Sequence, residues 1–467
     1  MVRIFLVILI VCVTAGVFLC QSGISEYADD ILHFTLEEAI NRALTANRSI
    51  ANALDQMTQA QFSLVSSRAD FELKIIPEVY LDLAEGRKNY GGALSIDKKL
   101  PTGTGLLISP SIQRIGETYE TGLDILLTQS LLRGFSTDYN LRGVKQSEYL
   151  LRSSQRDLYL TQVSVVLAAV SAVYNVIRRR EILRLQQSSY ERLQGYTEAA
   201  GVKQKMGLAT AIDVYRARIK LNQAESFLIA SREAYQDALD NLRIILAVPL
   251  EKAIDVSAPL TYTVIHVEEG EALSISMNER VEIIQIRDLI ANLELQARTA
   301  KHNILPDVDL TLKYSSKGSD SALKESLKTN KGSVELGLAT SGNVSRTREK
   351  AAYEISRIVI QSASRLLGLK GDEIKREVKI SLRNLYRTRK NIEIQKEQIT
   401  QAKGKLELAK VKFSRGLADN FDMIEAETEL RTAEINLISA VIQYIEGQFR
   451  LKAAMGVLID KQGKVSS

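Results

Sequence analysis

The sequence predicts a mainly helical chain with some β-structure, built from two internal repeats. Each repeat is expected to hold a strand pair and a very long helical hairpin. Three observations carry this. First, the six prolines leave 138 proline-free positions between Pro110 and Pro249, and 161 more after Pro306. Proline in a helix interior costs about 3 kcal/mol, so spans this long can hold helices of unusual length. Second, a slide of 209 residues lays Val202–Val248 over Val411–Val457 with 15 of 47 positions identical. Chance would give roughly one in sixteen. Third, four short segments alternate apolar and polar residues with period two, the mark of a sheet with two different faces.

The chain opens with Met1–Val2–Arg3, an uncharged run from Ile4 to Leu19, and then Gln21, Ser22 and Gly23. A charged start, an apolar centre and a small-residue exit read as a signal peptide over residues 1–22. Both cysteines, Cys12 and Cys20, fall inside it. Cys20 stands where a lipidated cysteine would stand, but the bulky Leu19 before it disfavours lipidation. Beyond this segment the longest nearly apolar run, Val163–Val173, has only 11 residues and includes two serines. It is too short for a membrane helix, so any membrane passage is expected to use strands.

Repeat one covers residues 34–250. It comprises an N-terminal helix, strands over about 78–130, a long helix over about 136–206, a tip at Gly207 and a return helix over 210–247. Residues 251–280 read as a linker. Repeat two covers 281–457, with a helix, strands over about 307–340, a long helix over about 345–415, a tip at Gly416 and a return helix over 419–455. Residues 458–467 form a tail. The strand residues expected on the apolar, lipid-type face are Val79, Leu81, Leu83, Leu123, Ile125, Leu127, Val308, Leu310, Leu312, Val334, Leu336 and Leu338. The segment Pro77–Leu81 aligns with Pro306–Leu310 at a shift of 229 rather than 209, so the first half is 20 residues longer. The Gly- and Pro-rich, hairpin-like stretch Gly91–Gln113 is the place for the extra length, and it leaves the strand count of the first half open.

In the second long helix Val378, Leu385, Ile392, Ile399, Leu406 and Phe413 recur every seven residues, which predicts coiled-coil packing. The glycines at both tips permit a left-handed cap, and Leu208 and Leu417 beside them are expected to be exposed. Asp213 and Asp422 follow their tip glycines by six residues. Acids in a first helical turn usually stabilise that turn.

Chemistry is not expected. The chain has three histidines (His33, His266 and His302), and neither cysteine lies beyond the signal segment. A His/Cys metal site is therefore not expected. No phosphate-binding loop, HExxH or GxSxG motif occurs, and Thr102–Gly105 reads as a turn. No cofactor is implied. With 61 basic against 56 acidic residues, the net charge of +5 gives no reason to expect nucleic acid.

Several of these motifs resemble the TolC family of outer-membrane efflux proteins. Phe34–Thr35–Leu36–Glu37–Glu38–Ala39–Ile40, with Ala43–Leu44 and Asn47, is similar to the family's N-terminal helix. Ile76–Pro77 and Leu305–Pro306 resemble the Leu-Pro that introduces each strand pair. Gln129–Phe135 resembles the return from strand to long helix, with Ser130 in place of the usual proline. Met206–Gly207–Leu208 and Arg415–Gly416–Leu417 resemble the Val-Gly-Leu tips, with Met206 and Arg415 in place of valine. The resemblance spans about Phe34 to Val457.

What this resemblance implies is a homotrimer in the outer membrane of a diderm bacterium. Three chains would give four strands each to a 12-stranded barrel, and their helices would continue as a periplasmic tunnel. The implied partners are outer-membrane lipid, a periplasmic adaptor protein and an inner-membrane pump of RND, ABC or MFS type, in efflux or type I secretion. Gly207, Leu208, Ala209, Gly416, Leu417 and Ala418 would meet the adaptor. Asp213, Asp422, Asp419, Lys205 and Arg415 would line or gate the aperture. The competing reading is a periplasmic coiled-coil scaffold with no pore.

Overall fold

The computed structural model describes residues 31–84, 87–328, 331–342, 344–415, 417, 419–460 and 465. The signal segment with Cys12 and Cys20, and the tip residues Gly416 and Ala418, lie outside them, as does the side chain of Leu83.

The chain begins with β1 (Leu32–Thr35), α1 (Leu36–Ala46) and α2 (Arg48–Ala69). Thr35 caps α1 by a reciprocal box with Glu38: its hydroxyl accepts from the Glu38 N–H at 3.2 Å, and the carboxylate accepts from the Thr35 N–H at 2.8 Å. Four strands follow: β2 (Lys74–Ala84), β3 (Arg87–Lys99), β4 (Thr104–Ile115) and β5 (Thr118–Ser130). The short α3 (Thr137–Asn140) leads into α4 (Arg142–Lys205), and α5 (Ala211–Leu246) returns beside it. Next come β6 (Ile254–Ser257), α6 (Glu269–Glu279) and α7 (Val281–His302). Then β7 (Asp307–Asp320), α8 (Leu323–Ser326) and β8 (Lys331–Ser341) lead into α9 (Thr347–Ser414) and α10 (Asn420–Met455). With 64 and 68 residues, α4 and α9 are about 96 and 102 Å long at 1.5 Å per residue.

Packing explains the sequence identities between the halves. Ala217 and Ala426, Ala224 and Ala433, and Leu242 and Leu451 are matched pairs at the 209-residue offset, and all six are buried. The heptad row of α9 is buried at Val378, Leu385, Ile392 and Leu406 and half-buried at Ile399 and Phe413. A second buried row runs through Ile374, Thr388, Gln395, Ala402 and Ala409. Two polar residues in that row hide it from a hydrophobicity reading. The apolar centre of α4 passes by composition for a membrane helix. Here Val166, Ala169, Val170 and Val173 are instead buried against α1, α5 and α10.

The structure corrects three expectations. The 251–280 segment is no plain linker: it carries α6 and β6, and β6 pairs in parallel with β1 from Leu32↔Ile254 to Thr35↔Ser257. The 458–467 stretch is no free tail, since Leu458 and Ile459 are buried in the main core and Ile459 bridges to Val465. Finally, the first half gives the main sheet a strand pair and, at the hairpin-like stretch Gly91–Gln113 whose strand count the sequence left open, two further strands. The resulting antiparallel sheet has six strands in the order β2-β3-β4-β5-β7-β8, against the four per chain that the family resemblance implies. The extra residues are where the offset placed them, in β3 and β4.

The sheet has two faces of opposite character. Residues directly opposite one another share a face, and one row crosses all six strands as Ile75, Ile96, Ile108, Ile125, Tyr314 and Val334. One residue along, the opposite face reads Ser109, Asp124, Ser315 and Ser333 across four strands. The register puts eleven of the twelve expected apolar strand residues on the first face, the twelfth being Leu83, whose side chain lies outside the described residues. Val79 is 89% exposed there, and Leu81, Leu310, Leu312, Leu336 and Leu338 are exposed as well.

Candidate functional site

Two regions can act on other molecules: the apolar face of the sheet and the paired tips at the far end of the helices. The tips are built by backbone capping. α4 ends at Lys205, and Gly207 turns left-handed with φ +75°. Its N–H donates to the Gln204 carbonyl at 3.0 Å, and the Leu208 N–H reaches back to the Lys203 carbonyl at 2.9 Å. This bond pair is a Schellman turn. On the second hairpin the Leu417 N–H reaches the Lys412 carbonyl at the same 2.9 Å. The turn leaves Leu208 73% exposed and Leu417 75% exposed, and Ala209 half-buried.

The acids beside the tips serve the return helices. The Asp213 carboxylate accepts from the Thr210 hydroxyl at 2.7 Å and from the Thr210 N–H at 2.9 Å. These two bonds, the hydroxyl's first, hold its carboxyl below the usual carboxylate range. Asp419 caps α10 by accepting from the N–H groups of Phe421 at 2.9 Å and Asp422 at 3.0 Å. Asp422 stands in the first turn of α10, where Asp213 stands in α5. Lys205 and Arg415 occupy the C-terminal ends of α4 and α9, where cations complement the helix dipole.

Contacts that the sequence did not single out join the two hairpins. The Lys203 ammonium lies 3.5 Å from the centre of the Phe413 ring, a cation–π pair across the tips. About two turns above Asp419, the Arg192 Nε donates to the buried carboxylate of Glu427 at 2.6 Å. One turn further on, Arg431 donates to Gln186 Oε1 at 3.1 Å, and burial pushes its pKa down. The available signal was a set of charges at core-facing positions of α10, inside an otherwise apolar stripe.

At the sheet's far rim Arg114 lies over the rings of Tyr90 and Tyr119 at 5.8 and 5.2 Å. All three are on the apolar face. An aromatic rim above an apolar band suits a lipid boundary.

No protein-family model matches the chain. It is 23% identical over 360 residues to the outer membrane protein TolC of Escherichia coli K12, covering 72% of this chain and 70% of that one. The TolC of Salmonella enteritidis matches at 22% over 357 residues, covering 73% and 70%. The solved outer membrane protein VceC of Vibrio cholerae superposes with a TM-score of 0.69 at 16% identity, covering 90% of this chain and 96% of that one. The Campylobacter jejuni CmeC outer membrane channel gives 0.69 at 15% identity, covering 90% and 85%. This is the fold of the TolC-like outer membrane factors. The chain is thus TolC-like and an outer-membrane protein, with its long helices on the periplasmic side.

Proposed function

We propose that three copies of this chain form the exit duct of a tripartite efflux or type I secretion system. Their sheets close into a barrel with the apolar face toward lipid and the polar face toward the lumen. Helices α4, α5, α9 and α10 of each copy continue as a tunnel across the periplasm. The observation that carries the reading is the continuity of the two-faced sheet with two hairpins whose tips each expose a leucine. Cargo passes without chemistry along a mostly polar lumen face, on which Asp124 and Lys313 stand 3.6 Å apart.

The tips Gly207–Ala209 and Gly416–Ala418 dock a periplasmic adaptor, with Leu208 and Leu417 as apolar anchors. The adaptor couples the tube to an inner-membrane pump of RND, ABC or MFS type. At the aperture Lys205, Arg415, Asp213, Asp419 and Asp422 set the charge, and the links from Arg192 to Glu427 and from Lys203 to Phe413 hold the hairpins together until the adaptor parts them.

The double variant Leu208→Asp with Leu417→Asp tests the docking role. It should insert as a trimer and lose export, read by cargo accumulation in cells and by adaptor pull-down. Normal export by this variant would remove the tips from the docking site. A folded particle that stays in water without detergent would remove the channel itself.

A further inference from the structure

We infer that the closed barrel contains 18 strands, six from each of three chains, and is as wide as the helical tunnel it caps. This rests on the trimeric channel proposed above and departs from the 12 strands that the family resemblance implies. The added hairpin, β3–β4, lies within the sheet, between β2 and β5. Its helix-side turn is pinned there. The Ser130 N–H donates to the Gly103 carbonyl at 3.3 Å, and the Thr104 hydroxyl donates to Gln129 Oε1 at 2.5 Å. A Cβ on Gly103 would stand 2.4 Å from the Gly134 carbonyl oxygen. The hairpin is therefore seated against the base of β5, within the wall and not across the lumen.

The sheet's two edges suit a second copy of the same chain. β2 and β8 have 11 residues each, and among the described residues neither outer edge has a strand partner. β2 runs away from the helices and β8 runs back toward them, so β8 of one copy meets β2 of the next antiparallel. Because six is even, the insertion preserves this polarity. The face rule also carries across the seam: Val79 and Leu81 of one copy fall on the same side as Val334 and Leu336 of the next.

The widths agree. Six strands spaced about 4.8 Å apart and tilted about 40° take up about 38 Å of circumference per chain. Four helices packed side by side at about 9.5 Å take up about 38 Å as well. Four strands at the same tilt would take up only about 25 Å. An 18-stranded wall has a backbone diameter of about 36 Å, against about 24 Å for 12 strands. The outer-membrane end is then no narrower than the tunnel, and size selection among cargoes falls to the tip.

Electron microscopy of the wild-type protein, extracted from outer membranes and resolved to the strand spacing, tests this directly. Three-fold symmetry with 18 strands is the expected result. A three-fold barrel of 12 strands, with the 87–115 segment off the wall, would overturn the inference and leave the channel intact. A particle without three-fold symmetry or a lipid belt would overturn the channel reading beneath it. A second test exploits the absence of tryptophan from the chain. In vesicles of brominated lipid, Ile96→Trp and Ile108→Trp should be quenched several-fold more than Ser109→Trp. Equal quenching would overturn the inference, and Leu310→Trp, outside the inserted hairpin, reports separately on whether the rest of the sheet meets lipid.

Discussion

The two halves of the chain agree in their helices and differ in their strands. The return helices α5 and α10 each have 36 residues, and the long helices α4 and α9 have 64 and 68. The sheet, by contrast, takes four strands from the first half and two from the second. The reason is geometric. A residue inserted into a coiled coil rotates every later side chain by about 100° and takes the seam out of register. A whole antiparallel hairpin inserted into a sheet changes neither the direction nor the face of the strands around it. The helical part of this architecture is thus rigid to length change, and the sheet is modular in steps of two strands.

The matching helical cores should respond alike. Leu242 and Leu451 are equivalent and fully buried, so Leu242→Ala and Leu451→Ala should each destabilise the fold by about 2–5 kcal/mol. Thermal unfolding of the detergent-extracted assembly reads both. A difference larger than the scatter between repeat measurements would mean that the halves pack differently despite their shared pattern.

The unequal sheets are tested by comparing residues in one row. Ile108 in the inserted hairpin and Val334 in the second half lie on the same six-residue row. If both face lipid at the same depth, Ile108→Arg and Val334→Arg should each cost roughly 2–4 kcal/mol near mid-bilayer. Ser109→Arg, one residue away on the polar face, should cost little. The measurement is the yield of membrane-inserted trimer. Wild-type insertion of Ile108→Arg alone would place the inserted hairpin out of contact with lipid.

The same contrast decides how much of the fold is legible in the sequence. The heptads of α9 and the alternation in β5, β7 and β8 are strictly periodic, so those elements were legible. In β3 the pattern is broken by Gly91 and Gly92, and by Lys98 on the apolar face, where its ammonium reaches back to the Phe71 carbonyl at 2.6 Å. Pro110 interrupts β4 in the same way. The length offset located the insertion and its Gly and Pro content marked it as hairpin-like, while the local pattern left its strand count open. The β1–β6 pair was illegible because each strand has four residues and the partners are more than 200 positions apart. At the tips, sequence located Leu208 and Leu417. The Arg192–Glu427 link could not be read, because it depends on how two separate hairpins lie against each other.

That link also separates the halves. Glu427 is buried beneath Arg192, whereas the equivalent position in the first half is the exposed Arg218. Removing Glu427 strips a charge-assisted bond from a buried site, worth about 1–3 kcal/mol. Arg192 is partly exposed, so water takes up part of that loss. Glu427→Ala should therefore loosen the hairpins and raise single-channel conductance in planar bilayers, and Arg218→Ala should leave it unchanged. Equal conductance for the two variants would break the assignment of the link as a restraint on the aperture.

The smallest effect separates the two tips by pH. Asp213 has its pKa lowered in the folded state by the hydroxyl and N–H of Thr210. A lowered carboxyl contributes stability that is present above its unfolded pKa, near 4, and lost as pH falls through the folded value. The first turn of α5 should therefore open more readily in acid below about pH 4. Hydrogen exchange over residues 211–215 should quicken there in the wild type beyond the ordinary pH dependence of amide exchange. In Asp213→Asn it should already be faster at neutral pH and show no such excess in acid. The second tip is capped through Asp419, at the residue before its helix. Asp422→Asn should therefore leave exchange over residues 421–425 near the wild-type rate, whereas Asp419→Asn keeps a capping oxygen and Asp419→Ala removes it. If Asp422→Asn loosened its helix as much as Asp213→Asn does, the two tips would share one capping scheme, and the asymmetry drawn from their hydrogen bonds would fail.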